Sequence, residues 1–145
     1  MDKLEIVLVP CSGNLWLAFP KEIMVQIYPY APLLSVENAG EFVAGAMLLQ
    51  NEKLPVLDFQ FEQQTSSYDG LYRTVLISTI RNTKFPHYAI VSYGEPMIIS
   101  IERDQIKTLN PGTHKYIAQY VAIIGHEKRK IAILDLPTFE NNLSL

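Results

Sequence analysis

The chain has 145 residues, 48% apolar and 19% charged, with a formal net charge of −3. That length fits one domain or two small intertwined lobes, and the apolar fraction suffices for a compact core. The acidic balance argues against a nucleic-acid face, which needs clustered Lys and Arg; the short run Lys128-Arg129-Lys130 reads as a solvated loop tip.

Taken in order, the chain reads as short β-rich runs punctuated by turns. Leu4–Val9 is a candidate strand closed by Pro10, Ser12-Gly13-Asn14 a turn, and Leu15–Phe19 the return strand of a hairpin. Pro20–Ile23 suits one turn of helix, because Pro is tolerated at a first helical position. Met24–Tyr28 alternates and is rich in β-formers, and Tyr30–Leu34 is extended around Pro32. After a turn at Asn38-Ala39-Gly40, Phe42–Phe59 reads as two strands around a polar tip, Gln50-Asn51-Glu52-Lys53. Residues 61–70 are polar and suit a mobile loop between two lobes.

The rhythm resumes with strands at Tyr72–Ile80, His87–Tyr93 and Met97–Ile101, separated by turns at Arg81–Lys84 and Gly94-Glu95-Pro96. Glu102–Leu109 is weakly helical, and Asn110-Pro111-Gly112 is an emphatic turn. Tyr116–Ile124 and Ile131–Leu136 pair as a last hairpin around Gly125–Lys128, and Pro137–Leu143 forms a short closing helix. No long 3.6-residue period exists, so the fold class is all-β with short helical turns only. Two segments share one grammar of strand, charged tip, strand and Leu-Asp, ending at Leu57-Asp58 and Leu134-Asp135. They read as two similar small barrels.

Chemistry is sparse. The histidines His87, His114 and His126 stand apart, with no His-x-x-x-His, Cys-x-x-Cys or carboxylate spacing for a metal. No glycine-rich phosphate loop is present. Asp58 and Asp135, each following an apolar strand, are expected to cap the next turn or helix. The eight tyrosines read as strand packing, with interface anchoring as the functional alternative. The single cysteine, Cys11, excludes an internal disulfide and suits a reducing cytosol; it reads as a buried inert thiol or a turn residue. No apolar run nears the roughly 18 residues of a membrane span, so a soluble cytoplasmic protein is expected, with no direct membrane insertion. Neither catalysis nor a cofactor is expected.

The Phe42–Phe59 hairpin resembles the signature of CheW-like domains, the adaptors of bacterial chemosensory arrays, through Phe42, Val43, Gly45, Leu48, Leu49, Pro55, Val56, Asp58 and Phe59. Gln50-Asn51 stands where that pattern has Arg-Gly. The likeness continues in order: Val25-Gln26-Ile27, then Val75–Ile77, Ala89–Val91 and Ile98-Ile99, then Ile106–Pro111 and the closing Tyr116–Leu136. Apolar positions are kept and polar signatures drift, as in a divergent member serving a type IV pilus and twitching-motility system.

The resemblance implies two intertwined five-stranded SH3-like barrels, the first roughly 19–72 and the second roughly 1–18 plus 73–145. It implies a non-catalytic scaffold that bridges a CheA-type histidine kinase and the cytoplasmic tip of a chemoreceptor, recruited to membrane-associated arrays. Val25, Gln26, Leu49, Gln50, Asn51 and Pro55 are then the partner-facing residues. Two other readings stand beside it: a CheW-fold module that has exchanged the kinase for another regulator, and a small β-barrel ligand-binding protein or enzyme.

Overall fold

The computed structural model describes residues 3–29, 32–37, 40–61, 73–79 and 84–144. The strands are β1 (Lys3–Pro10), β2 (Leu15–Pro20), β3 (Met24–Pro29), β4 (Val43–Leu49), β5 (Glu52–Leu57) and β6 (Arg73–Ser78), then β7 (His87–Ser92), β8 (Met97–Glu102), β9 (Ile106–Pro111), β10 (Ile117–Ile123) and β11 (Lys130–Leu134). Single 3-10 turns at Lys21–Ile23 and Arg103–Gln105 lead into β3 and β9, and one short helix, α1 (Leu136–Glu140), follows β11. The polar stretch expected to link two lobes lies outside the described residues from 62 onward, as do residues 38–39 and 81–83 of two expected turns.

The strands form two sheets, β3-β6-β7-β5-β4 and β8-β1-β2-β11-β10-β9. The first is five-stranded as expected; the second gains a sixth strand, β9. Sheet membership also departs from a division at residue 72. β6 and β7 pair with β3 and β5, so the first sheet runs to Ser92. The two sheets share one plan: a hairpin (β6–β7 or β1–β2) meets a second hairpin (β4–β5 or β10–β11) through one parallel pairing, β5 with β7 and β11 with β2. The repeat suggested by the two Leu-Asp endings is therefore visible in strand order, with the chain's own start completing the second sheet.

Three apolar layers hold this arrangement. Leu54, Val56, Leu76, Ala89 and Val91 fill the five-stranded barrel. Leu8, Ile101, Val121, Ile123 and Ile131 fill the six-stranded one. Between them lies a larger shared cluster with Val7, Val9, Leu17 and Phe19 from one sheet, Leu57, Val75, Ile77, Tyr88 and Ile90 from the other, and Phe139 from α1. Strand alternation explains the division: Val7 and Val9 face the shared layer while Leu8 faces its own barrel. Strands buried on both faces read as continuous apolar runs, which is why Ile6–Val9 and Tyr88–Val91 show no polar alternation.

One expected helix is absent. Beyond the 3-10 turn Arg103–Gln105, Ile106–Pro111 is a strand paired with β10. The backbone of this stretch is satisfied by a neighbouring strand, and tertiary pairing overrides a weak local preference. At the other end the expected closing helix is shorter than 137–143, and Asp135 caps it by accepting from the Thr138 amide at 3.2 Å and its hydroxyl at 2.8 Å.

Candidate functional site

The β4–β5 turn is tighter than its polar sequence suggests. Leu49 pairs with Glu52, so only Gln50 and Asn51 connect the strands; Glu52 and Lys53 belong to β5. Both connecting residues have positive φ, 50° for Gln50 and 66° for Asn51, as a type I′ hairpin requires. Asn accepts that region readily, whereas Gln pays more for it, having no short side chain to bond its own backbone. The two side chains are exposed at the end of the barrel.

Side-chain direction along β4 follows from the same register. Leu48 stands opposite Lys53 and is 59% exposed, whereas Leu49 is half-buried against the five-stranded barrel's core. Pro55 is buried opposite Ala46. β4 is the sheet's end strand, covered along part of its length by an isolated antiparallel bridge from Leu34 to Ala46. Gly45 permits that close approach: a Cβ there would lie 2.7 Å from the Leu34 carbonyl oxygen.

β3 carries the other pair of expected contact residues. Met24 pairs with Ile77 and Gln26 with Leu76, leaving Val25 as the extra residue of a β-bulge. The bulge turns Val25 outward, 50% exposed, beside exposed Gln26. β3 and β4 occupy opposite ends of the strand order, and what they share is the barrel core, against which Tyr28 and Leu49 both pack. Of the six expected residues, Val25, Gln26, Gln50 and Asn51 are therefore surface groups; Leu49 and Pro55 support the turn from below.

Exposed apolar side chains that the sequence reading did not place among the contact residues are Leu34 and Leu48 on the first barrel, and Ile98, Leu109 and Ile124 on the second. Leu109 occupies a bulge like that of Val25, since Tyr120 pairs with Asn110 and Val121 with Thr108. In the triplet Met47-Leu48-Leu49 nothing local says which leucine faces out; the two-residue turn decides it.

Asp58, Cys11 and His114 are engaged within the fold. Asp58 accepts from the Tyr93 hydroxyl at 2.6 and 2.7 Å and from the Gln60 amide at 3.2 Å, so it ties β5 to the end of β7 where a backbone cap was expected. Cys11 is buried, and burial, then the Asp58 charge, pushes its thiol well above the ordinary range. His114 is packed against Phe42, Phe61 and Tyr116 and lies 3.3 Å from Glu41. Among the described residues no group of three or more His, Cys, Asp or Glu is placed to hold a metal ion, and no helix is long and apolar enough to cross a membrane.

No family model and no curated protein matches the chain. Among solved structures, the scaffolding protein TtCheW from Thermoanaerobacter tengcongensis is similar over 93% of this chain and 90% of its own, with a TM-score of 0.71 and 14% sequence identity. The chain has a CheW-like fold. At that identity the likeness concerns the path of the backbone and the arrangement of the two barrels; surface residues are this chain's own. The turn at Gln50-Asn51, the bulge at Val25 and the outward Leu48 are features of this chain's own surface on that CheW-like fold.

Proposed function

We propose that this chain is a non-catalytic scaffold of bacterial chemosensory signalling, holding a CheA-type kinase and a chemoreceptor tip in fixed geometry. The observation that carries the reading is the CheW-like fold across nearly the whole chain, in company with a scaffolding protein. The surface around the β4–β5 turn agrees with it: an exposed leucine, Leu48, beside the polar tip Gln50-Asn51 makes a small apolar anchor with a polar rim. Val25 and Gln26 on the bulged β3 form the second part of the contact surface.

Gln50 offers a neutral amide where the CheW-like pattern has a guanidinium. A neutral hydrogen bond is weaker than a charge-assisted one, so kinase affinity rests more on Leu48. The test is calorimetry of the purified chain against the regulatory domain of each CheA-type kinase in its host, from flagellar and pilus systems alike. Saturable binding is expected, weakened about tenfold or more by Leu48→Asp. A folded protein that binds none of these domains overturns the kinase contact. That result favours the second reading, a CheW-fold module that has exchanged its partner, which the replaced Arg-Gly pair motivates.

A further inference from the structure

The six-stranded barrel is filled at its middle and open at one end. Leu8 and Ile131 are fully buried, but farther along the same strands Leu4, Ile6 and Ile133 are only half-buried, although they pack on the same interior cluster. Ala18 on β2 and Ile106 at the start of β9 complete this end. Ala18 is the small residue where a larger side chain would close the barrel. The result is an open apolar cavity of about 250 Å³. A cavity of about 150 Å³ lined by similar side chains accepts benzene, so this one has room for a phenyl or indole group. Barrel mouths are common small-ligand sites.

What lies outside the mouth narrows the ligand. A second space of about 350 Å³ adjoins it, lined by Lys3, Glu5, Lys21 and Glu22, three of which also border the apolar cavity. Two cations and two anions make a vestibule with no net charge. Glu5 and Lys21 pair with each other at 2.9 Å. Among the described residues Lys3 and Glu22 have no ion pair. A singly charged amphiphile satisfies one of these two groups and is repelled by the other. A ligand with an apolar body and both charges at one end satisfies both.

We propose that this mouth binds a free apolar α-amino acid as its zwitterion, with the side chain among Leu4, Ile6 and Ile106, the carboxylate toward Lys3 and the ammonium toward Glu22. The proposal does not rest on the scaffold reading: Lys3 on β1 and Glu22 in the 3-10 turn before β3 are not among the residues assigned to the partner contact. A ligand of this size in an open site binds weakly, in the millimolar to submillimolar range.

The experiment is a titration of the full chain with L-phenylalanine and L-leucine, followed by backbone amide NMR shifts. Phenylacetate and phenethylamine serve as the single-charge analogues. Saturable shifts are expected at the starts of β1 and β9 and the end of β2, with each analogue about tenfold weaker. Ala18→Leu, which fills the cavity, removes binding; Ala18→Val, a smaller intrusion, weakens it and serves if the leucine variant does not fold. Glu22→Gln weakens the amino acids and leaves phenylacetate unchanged or tighter. The proposal is overturned if neither amino acid gives saturable shifts, if the analogues bind as well as the zwitterions, or if the folded Ala18 variants bind like the parent. None of these outcomes bears on kinase binding, which is measured without amino acids.

Discussion

Three residues show how strongly position governs chemistry in this chain. Cys11 and Tyr88 are buried in the shared core, and burial holds both well above their ordinary pKa ranges, with Glu140 adding to the effect at Tyr88. Both groups are neutral when protonated, so their folded values lie above their unfolded ones. The stability they contribute is complete below the unfolded values and is lost as pH rises from there through the folded values. The melting temperature should therefore fall from about pH 9 upward. Tyr88→Phe, which removes one of the two titrating groups, should flatten the decline in a pH series of thermal melts. Gln50 is the third residue, a side chain of ordinary preference held at a φ of 50°. The double change Gln50→Asn with Asn51→Gly matches the type I′ turn and should stabilise the chain by about 1 kcal/mol in urea unfolding. No gain would mean that the turn relaxes away from I′ geometry in solution.

At the level of elements, the hairpins were legible because each has a breaker at its bend and β-formers on both sides. Leu15–Phe19, Met24–Tyr28, His87–Tyr93 and Met97–Ile101 all correspond to strands within a residue or two. β9 was not legible. Its sequence, IKTLNP, is exposed at all but Ile106, so it carries no buried stripe to reveal its period. Its strand character comes from pairing with β10, whose partner lies several residues away along the chain. Asp58 and Asp135 illustrate the same limit. Both end apolar strands, yet only Asp135 caps a helix, because only there does the chain turn helical directly afterwards; Asp58 meets Tyr93, distant in sequence. Asp135→Ala should cost about 1 kcal/mol, read as a shift of the urea midpoint at unchanged slope. An unchanged midpoint would mean that α1 is held by Phe139 packing alone.

For the whole molecule the decisive feature is the layer between the barrels. β1, β2, β5, β6 and β7 each send one face into it, and α1 adds Phe139. Neither barrel can be exposed without stripping the other. Unfolding should be a single transition, with calorimetric and van't Hoff enthalpies equal. Leu17→Ala, in β2 within that layer, should lower the stability of both barrels together by about 2–5 kcal/mol. Two separate transitions, with only one displaced by the substitution, would show that the shared layer does not couple them.

The sequence by itself determined the class of fold and the identity of most strands, because burial on one or both faces imposes a period of two or a continuous apolar run that turns interrupt. It also placed the β4–β5 hairpin and pointed to a CheW-like fold. Only the tertiary structure decided which strands share a sheet, since the pairings of β5 with β7 and β11 with β2 join segments far apart in the chain. It decided which face of each strand meets solvent, through a two-residue turn that points Leu49 toward the barrel core and exposes Leu48 and a bulge that exposes Val25. It also left the end of one barrel open at Ala18. Register and closure depend on long-range hydrogen bonds and packing, which leave no periodic mark in the residues that make them.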